Sequence, residues 1–291
     1  MRLTLRVGAA DGYGAGMDVA HIPDRAETID IWQAELEAIA DLAASLDDDQ
    51  WLAASPCPGW SVADLVAHIT DIELSLTDDP RPDHEPDWAA LPHVSSDTDR
   101  FTEVGVDLRR GRPQAEVIGE LRTVIARRRA ELDVLPADAE MHSPTGRPVD
   151  VQRMMRLRIL DSWVHEQDIR AAVGRPGGWD TPAAIVTLQQ FIAGLPKVWA
   201  KQADAPAGSV LHVVVADVGR GVEAWIVSDG AGRGEICAPV SDPAVTLTLT
   251  FADLELLAAG RAPVEEVRPR VRLDGDPELN DLVLAAMTMT P

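Results

Sequence analysis

Apolar residues recur at three- and four-residue steps at Ile29, Trp32, Leu36, Ile39, Leu42 and Leu46, a helical period that predicts an amphipathic helix over residues 26–46. The acidic run Asp47-Asp48-Asp49 ends it. Ser55-Pro-Cys-Pro-Gly-Trp60 then excludes regular structure, because prolines and glycine interrupt both helix and strand. A second stripe, Val62, Leu65, Val66, Ile69, Ile72 and Leu76, follows Ser61, and Asp64 stands where a capping box places its acid. From 78 to 113 the period fails among Pro80, Pro82, Pro86 and Pro92, which reads as a long connection of the kind that lines sites or acts as a lid. Two further helices are predicted over 114–132 and 149–173. The latter carries Met154, Met155, Leu157, Leu160, Val164 and Ile169 and stops at Gly174-Arg-Pro-Gly-Gly178. Four helices with one long crossover predict a four-helix bundle.

Beyond Trp179 the pattern changes to short alternating runs. A linking helix over 182–201 precedes β-rich stretches at 210–215, 222–227, 234–238 and 245–250, the last reading Val-Thr-Leu-Thr-Leu-Thr. A helix over 251–259, a strand over 267–273 and a closing helix over 277–287 complete an α+β domain. The expected organisation is a disordered Gly/Ala-rich extension (1–16), a helical bundle (17–180) and a small α+β domain (181–291).

Charge narrows the partners. With 48 Asp+Glu against 26 Lys+Arg the chain carries −22, which repels phosphate backbones and anionic lipid and disfavours nucleic acid and membrane as partners. No apolar run reaches the roughly 20 residues needed to span a bilayer, and the N-terminus has no apolar signal core. Cys57 and Cys237 form no CxxC pair, so a reducing cytoplasm is the expected compartment.

Chemistry enters through two segments with matched spacing, Asp64-Leu-Val-Ala-His68-Ile-Thr-Asp71 and Asp161-Ser-Trp-Val-His165-Glu-Gln-Asp168. Positions i and i+4 share a helix face about 6 Å apart, so each histidine has a carboxylate one turn before it and another about one turn after. Asp64 has a structural role available as the capping acid of the second helix. Asp161 has none: it lies mid-helix, where aspartate is intrinsically unfavourable. That asymmetry selects His68, Asp161 and His165 as metal ligands from two adjacent helices, a set that leaves open positions and suits Zn²⁺ or another divalent ion. Asp168 reads either as the acceptor that orients His165 or as an ion-pair partner of an arginine. Glu166 is expected to face solvent, and His84 and His93 to be exposed in the long connection. Cys57 is expected to be a buried small residue without a basic partner. Trp60 and Trp163 are candidates for a pocket wall.

The stretches Pro56-Cys-Pro-Gly-Trp60-Ser-Val-Ala-Asp-Leu-Val-Ala-His68 and Arg158-Ile-Leu-Asp-Ser-Trp-Val-His165-Glu-Gln-Asp-Ile-Arg-Ala-Ala-Val-Gly-Arg-Pro176 resemble the mycothiol-dependent maleylpyruvate isomerase family of the DinB-like metalloprotein superfamily. Leu257-Ala-Ala-Gly-Arg261 and Leu273-Asp-Gly-Asp-Pro277 are similar to the sterol-carrier-like domain that follows the bundle in that family. The resemblance runs from about residue 25 onward. It implies a metal on His68, Asp161 and His165, with Asp161 standing where the isomerase pattern has glutamate, and mycothiol as thiol cofactor or co-substrate. The implied activity is addition of a metal-activated thiolate to a small electrophile, as an isomerase or an S-transferase, in a cytoplasmic monomer or homodimer. A metal-dependent hydrolase, and a non-catalytic binding protein for an apolar small molecule, are the competing expectations.

Overall fold

The computed structural model describes residues 6–7, 19–77, 79, 82–142, 147–219 and 221–290. It divides into two compact units, Pro23–Trp179 and a second made of Met1–Ile22 with Asp180–Pro291. Of the extension expected over residues 1–16, only Arg6–Val7 falls among the described residues. It forms strand β1, antiparallel to Val222 and Glu223.

In the first unit, helices α1 (Arg25–Ala44), α3 (Val62–Ser75), α5 (Gln114–Val134) and α6 (Val151–Val173) form the bundle, and a short α2 (Asp48–Trp51) precedes α3. Both α1 and α3 pack on α5 and on α6, so the order around the bundle is α1–α5–α3–α6. That order sets α3 beside α6. Three of the four helices start where a side chain takes up a free backbone N–H: Asp24 accepts from Glu27, Ser61 from Asp64 and Asp150 from Arg153, whereas α5 follows Pro113 without a side-chain cap. The α6 helix ends at Gly174, whose φ of 64° is left-handed and favours glycine. Trp32, Leu36, Ile39, Leu65, Ile69, Leu121, Met155, Ile159 and Trp163 are fully buried between the four helices.

Three local expectations are corrected. The proline-rich stretch 78–113 contains helix α4 (Asp97–Asp107), because Ser96 and Asp99 form a reciprocal capping box that starts a helix without a long apolar stripe. Glycine at 105 lets α4 sit against α3, since a Cβ there would lie 1.9 Å from the Asp71 carboxyl carbon. The acidic run at 47–49 likewise starts α2, with Asp47 capping and Gln50 closing the box. Finally, Leu157, counted on the buried stripe of α6, is 44% exposed. A hairpin of two three-residue strands, β2 (Glu140–His142) and β3 (Pro148–Asp150), leads into α6.

In the second unit, α7 (Pro182–Lys197) runs into a π turn at Val198–Gln202. Then come β4 (Val210–Val215), β5 (Val222–Ser228), β6 (Gly234–Ile236) and β7 (Val245–Leu249), helices α8 (Phe251–Ala258) and α9 (Val264–Val267), strand β8 (Arg272–Gly275) and helix α10 (Pro277–Ala285). Among the described residues they make one six-stranded sheet, ordered β1-β5-β4-β7-β8 with β6 on β5. Among the described strands only β4 and β7 pair in parallel. Leu211, Val213 and Val215 share a buried face with Val245, Leu247 and Leu249, and the intervening threonines of β7 are half-buried. The strand expected over 267–273 begins later. Pro263 caps α9 and Pro269 holds a 3-10 turn, and proline is excluded from the interior of a paired strand. Among the described residues no helix is long and apolar enough to cross a membrane.

Candidate metal centre

Because α3 and α6 are neighbours, residues far apart in the chain meet at their facing surfaces. His68 Nε2 lies 3.7 Å from Asp161 Oδ2, and His165 Nε2 lies 3.9 Å from Asp161 Oδ1. The two imidazoles stand edge to face with centroids 4.9 Å apart. Both histidines are buried, whereas the Asp161 side chain keeps a third of its surface, so the cluster is open at the carboxylate.

These separations are too long for hydrogen bonds. They are close to the spacing of two ligands on one ion, since bonds of about 2.0–2.2 Å in tetrahedral array set neighbouring donors about 3.3–3.6 Å apart. Two imidazole nitrogens and a carboxylate also form a donor set that divalent transition metals accept. The residues therefore fit a metal. Arg158, however, gives Asp161 a partner that the sequence reading lacked: its Nη1 donates to Asp161 Oδ2 at 2.7 Å, so the mid-helix aspartate is compensated within its own helix.

The surroundings of the two histidines differ. His165 Nδ1 donates to Asp168 Oδ2 at 3.0 Å, which fixes the ring and leaves Nε2 turned to Asp161. This bond is the one that the orienting reading of Asp168 requires. His68 Nδ1 is buried with no hydrogen-bond partner. Burial lowers the His68 pKa in spite of Asp161 beside it. At His165 burial acts the same way, but the bonds to Asp168 and Cys57 and the charges of Asp161 and Asp168 outweigh it, and the pKa is pushed up to about 10. Desolvation works against the charge on Asp161 too. The Arg158 guanidinium and the two histidines still hold its carboxyl well below the usual range.

Cys57 is buried as expected, but not isolated: its Sγ donates to Asp168 Oδ2 at 3.4 Å, and Cys57, Asp168 and His165 form a second set of convergent ligand atoms. In that set the thiol and the imidazole N–H both donate to one carboxylate, which satisfies all three groups without an ion. A metal there would also require the nitrogen of His165 opposite to Nε2. The first set is the better candidate.

Asp64 closes the capping box with Ser61 and pairs with Arg110 Nε at 3.1 Å. Asp71 pairs with buried Arg109 at 3.2 Å and takes no part in orienting His68. Glu166 is a correction. It is 2% exposed and bonded to Arg170, and Glu35 of α1 comes close to it, because this side of α6 faces another helix and not water. His84 and His93 are half-buried and ion-paired to Asp107 at 2.7 Å and Glu103 at 3.0 Å. Trp60 lies over the site, its ring 4.9 Å from that of His68 and 6.3 Å from that of His165, held through Nε1 on Glu103 at 2.8 Å. Trp163 is instead fully buried and donates to the Gly178 carbonyl. Arg158 and Glu73 went unnoticed in the sequence, although a glutamate four residues after Ile69 on an apolar stripe is a visible irregularity.

Residues 32–170 match the model of a family described as the mycothiol maleylpyruvate isomerase N-terminal domain. Two uncharacterized proteins of Mycobacterium tuberculosis strains are each 28% identical over 145 residues, which is 49% of this chain and 54% of theirs. The chain thus matches about half the length of these curated relatives. Crystal structures of a mycothiol-dependent maleylpyruvate isomerase and of its histidine-to-alanine mutant are similar with TM-scores of 0.54 and 0.56 at 18% and 16% identity. Each alignment covers 90% of this chain and 98% of the other. At such identities the likeness is one of fold.

Proposed function

Through residues 32–170 this chain belongs to the family of the mycothiol maleylpyruvate isomerase N-terminal domain, and from that premise we propose that it is a divalent-metal-dependent enzyme that uses mycothiol to attack a small electrophile. The reaction is an isomerisation or an S-transfer, depending on whether the thiol is expelled again or leaves with the product. The observation that carries this reading is the convergence of His68, Asp161 and His165 on one point at separations suited to an ion rather than to hydrogen bonds. We assign these three residues as the metal ligands and zinc as the resident metal. Such a metal would supply Lewis acidity, drawing a thiol of ordinary pKa about 8.5 toward its thiolate at neutral pH.

The remaining residues prepare the site. Asp168 holds the His165 ring, so that Nε2 is presented without searching other rotamers. Trp60 covers the imidazoles with an apolar face and excludes water from one side of the cluster. The exposed third of Asp161 marks the side from which thiol and electrophile approach. Cys57 is committed to Asp168, which supports a diffusible thiol as the nucleophile. Both cysteines are free, in keeping with work in a reducing cytosol.

Metal analysis and thiol-dependent turnover test the proposal. His68→Ala and His165→Ala should each lose most bound divalent metal, by roughly 10–100-fold in affinity or more, while circular dichroism stays helical. Cys57→Ser should retain most turnover, and withholding mycothiol should abolish it. With Co²⁺ in the protein, mycothiol should raise a sulfur-to-metal charge-transfer band. Full metal occupancy in both alanine variants would remove the centre. Hydrolysis of an ester or amide without any thiol would replace the thiol chemistry by a metal-dependent hydrolase.

A further inference from the structure

One buried network joins Asp161 to all four helices of the bundle. Glu73 of α3 has no exposed surface. Its Oε1 accepts from Trp32 Nε1 of α1 at 3.2 Å and from Arg158 Nε of α6 at 2.8 Å, and its Oε2 lies 3.6 Å from Arg128 Nε of α5. Arg158 is itself buried and continues the chain of contacts to Asp161 Oδ2 through Nη1. A guanidinium is planar and its donors are fixed relative to one another, so an Arg158 pinned at Nε cannot follow a carboxylate that turns. Oδ2, the oxygen on the side of His68, is therefore the one already held, and Oδ1, on the side of His165, is the one left over for ligation.

We propose that Arg158, anchored by Glu73, is a positioning residue that restricts Asp161 to ligation through one oxygen and competes with the metal for the other. The inference rests on the metal reading above. Its consequence is a centre kept at low coordination number, with positions free for thiol and electrophile, at some expense in metal affinity. Aspartate suits this arrangement: from position 161 its short side chain meets Arg158, three residues before it on the same helix face.

The test uses the full chain with Co²⁺ as probe, comparing the parent, Arg158→Lys, and the double variant Arg158→Met with Glu73→Gln. The double substitution removes both charges, so Glu73 is not left as a buried carboxylate without Arg158, and Arg128 keeps Glu131 at 3.5 Å. With the competitor gone, both oxygens of Asp161 can reach the ion. The Co²⁺ d–d absorption should fall by about threefold or more as coordination rises. Chelator competition should show tighter binding, by roughly tenfold, the lower end of effects seen when a ligand's partner is changed. Arg158→Lys keeps the charge but cannot hold Glu73 and Asp161 together, and should shift the spectrum in the same direction, which gives a reading even if the double variant does not fold. Unchanged spectra, or weaker binding in folded variants as for a residue that merely supports the fold, would overturn the proposal. A parent that takes up no Co²⁺ would overturn the metal reading and this inference with it.

Discussion

At the scale of single residues, equal spacing in the sequence conceals unequal roles. Asp64 and Asp161 both stand four residues before a histidine, yet one caps a helix and pairs with Arg110 while the other meets Arg158. Asp64→Ala should therefore keep its metal and cost about 0.5–2 kcal/mol, the range for lost caps, measured by urea unfolding. The three proposed ligands were legible because histidines on neighbouring helices with an intrahelical acid form a recognisable pattern. Glu166 was not, since its face could be assigned only once α1 was known to lie against it. There Glu35 has its pKa raised well above 4.5, by burial first and then by the charge of Glu166 and a hydrogen bond with it. The folded state thus holds a proton that the unfolded state releases above about pH 4.5, and stability falls as pH rises from there toward the folded pKa. Glu35→Gln should be more stable than the parent at neutral pH. The gain in thermal midpoint should disappear below pH 4.5, where Glu35 is protonated in both states; a gain of equal size at every pH would exclude this account.

At the scale of elements, what the sequence made legible was the long apolar stripes, and what escaped was structure started by caps. Helix α4 has few buried residues of its own and depends on Ser96 and Asp99. Backbone N–H groups of Ser95 and Ser96 and their hydroxyls stabilise the charged Asp99, lowering its pKa to about 2. A carboxylate with a depressed folded pKa adds stability above its ordinary value of 3.8 and loses it as pH falls toward 2. Asp99→Asn should accordingly lower the thermal midpoint at pH 7 and match the parent near pH 2, and Ser96→Ala should cost about 0.5–2 kcal/mol. The hairpin β2–β3 and strand β8 were missed or shifted for a related reason. Runs of three or four residues carry too little alternation to be told from loop, and Pro269 hides where β8 begins.

At the scale of the whole molecule, the change from helical to alternating pattern after Gly178 was legible, because the period of burial itself changes there. The fragment 23–179 contains all three proposed ligands and a complete bundle core, so it should fold alone, remain helical by circular dichroism and bind Co²⁺ within about tenfold of the full chain, no more than the loss of one hydrogen-bond partner of a ligand would cause. A shorter fragment should behave differently, and the reason is the buried Glu73. Its hydrogen-bonding partners lie 41 residues before it, at Trp32, and 85 residues after it, at Arg158. A chain emerging from the ribosome therefore completes α1, α3 and α5 with this carboxylate facing Trp32 and, at 3.6 Å, Arg128, but still without its closest donor, and a buried charge with an incomplete set of partners opposes collapse by several kcal/mol. The fragment 23–134 should stay loosely packed, with no sharp thermal transition. The same dependence on partners predicts that during synthesis the bundle sets only when α6 arrives, bearing Arg158 together with the proposed ligands Asp161 and His165.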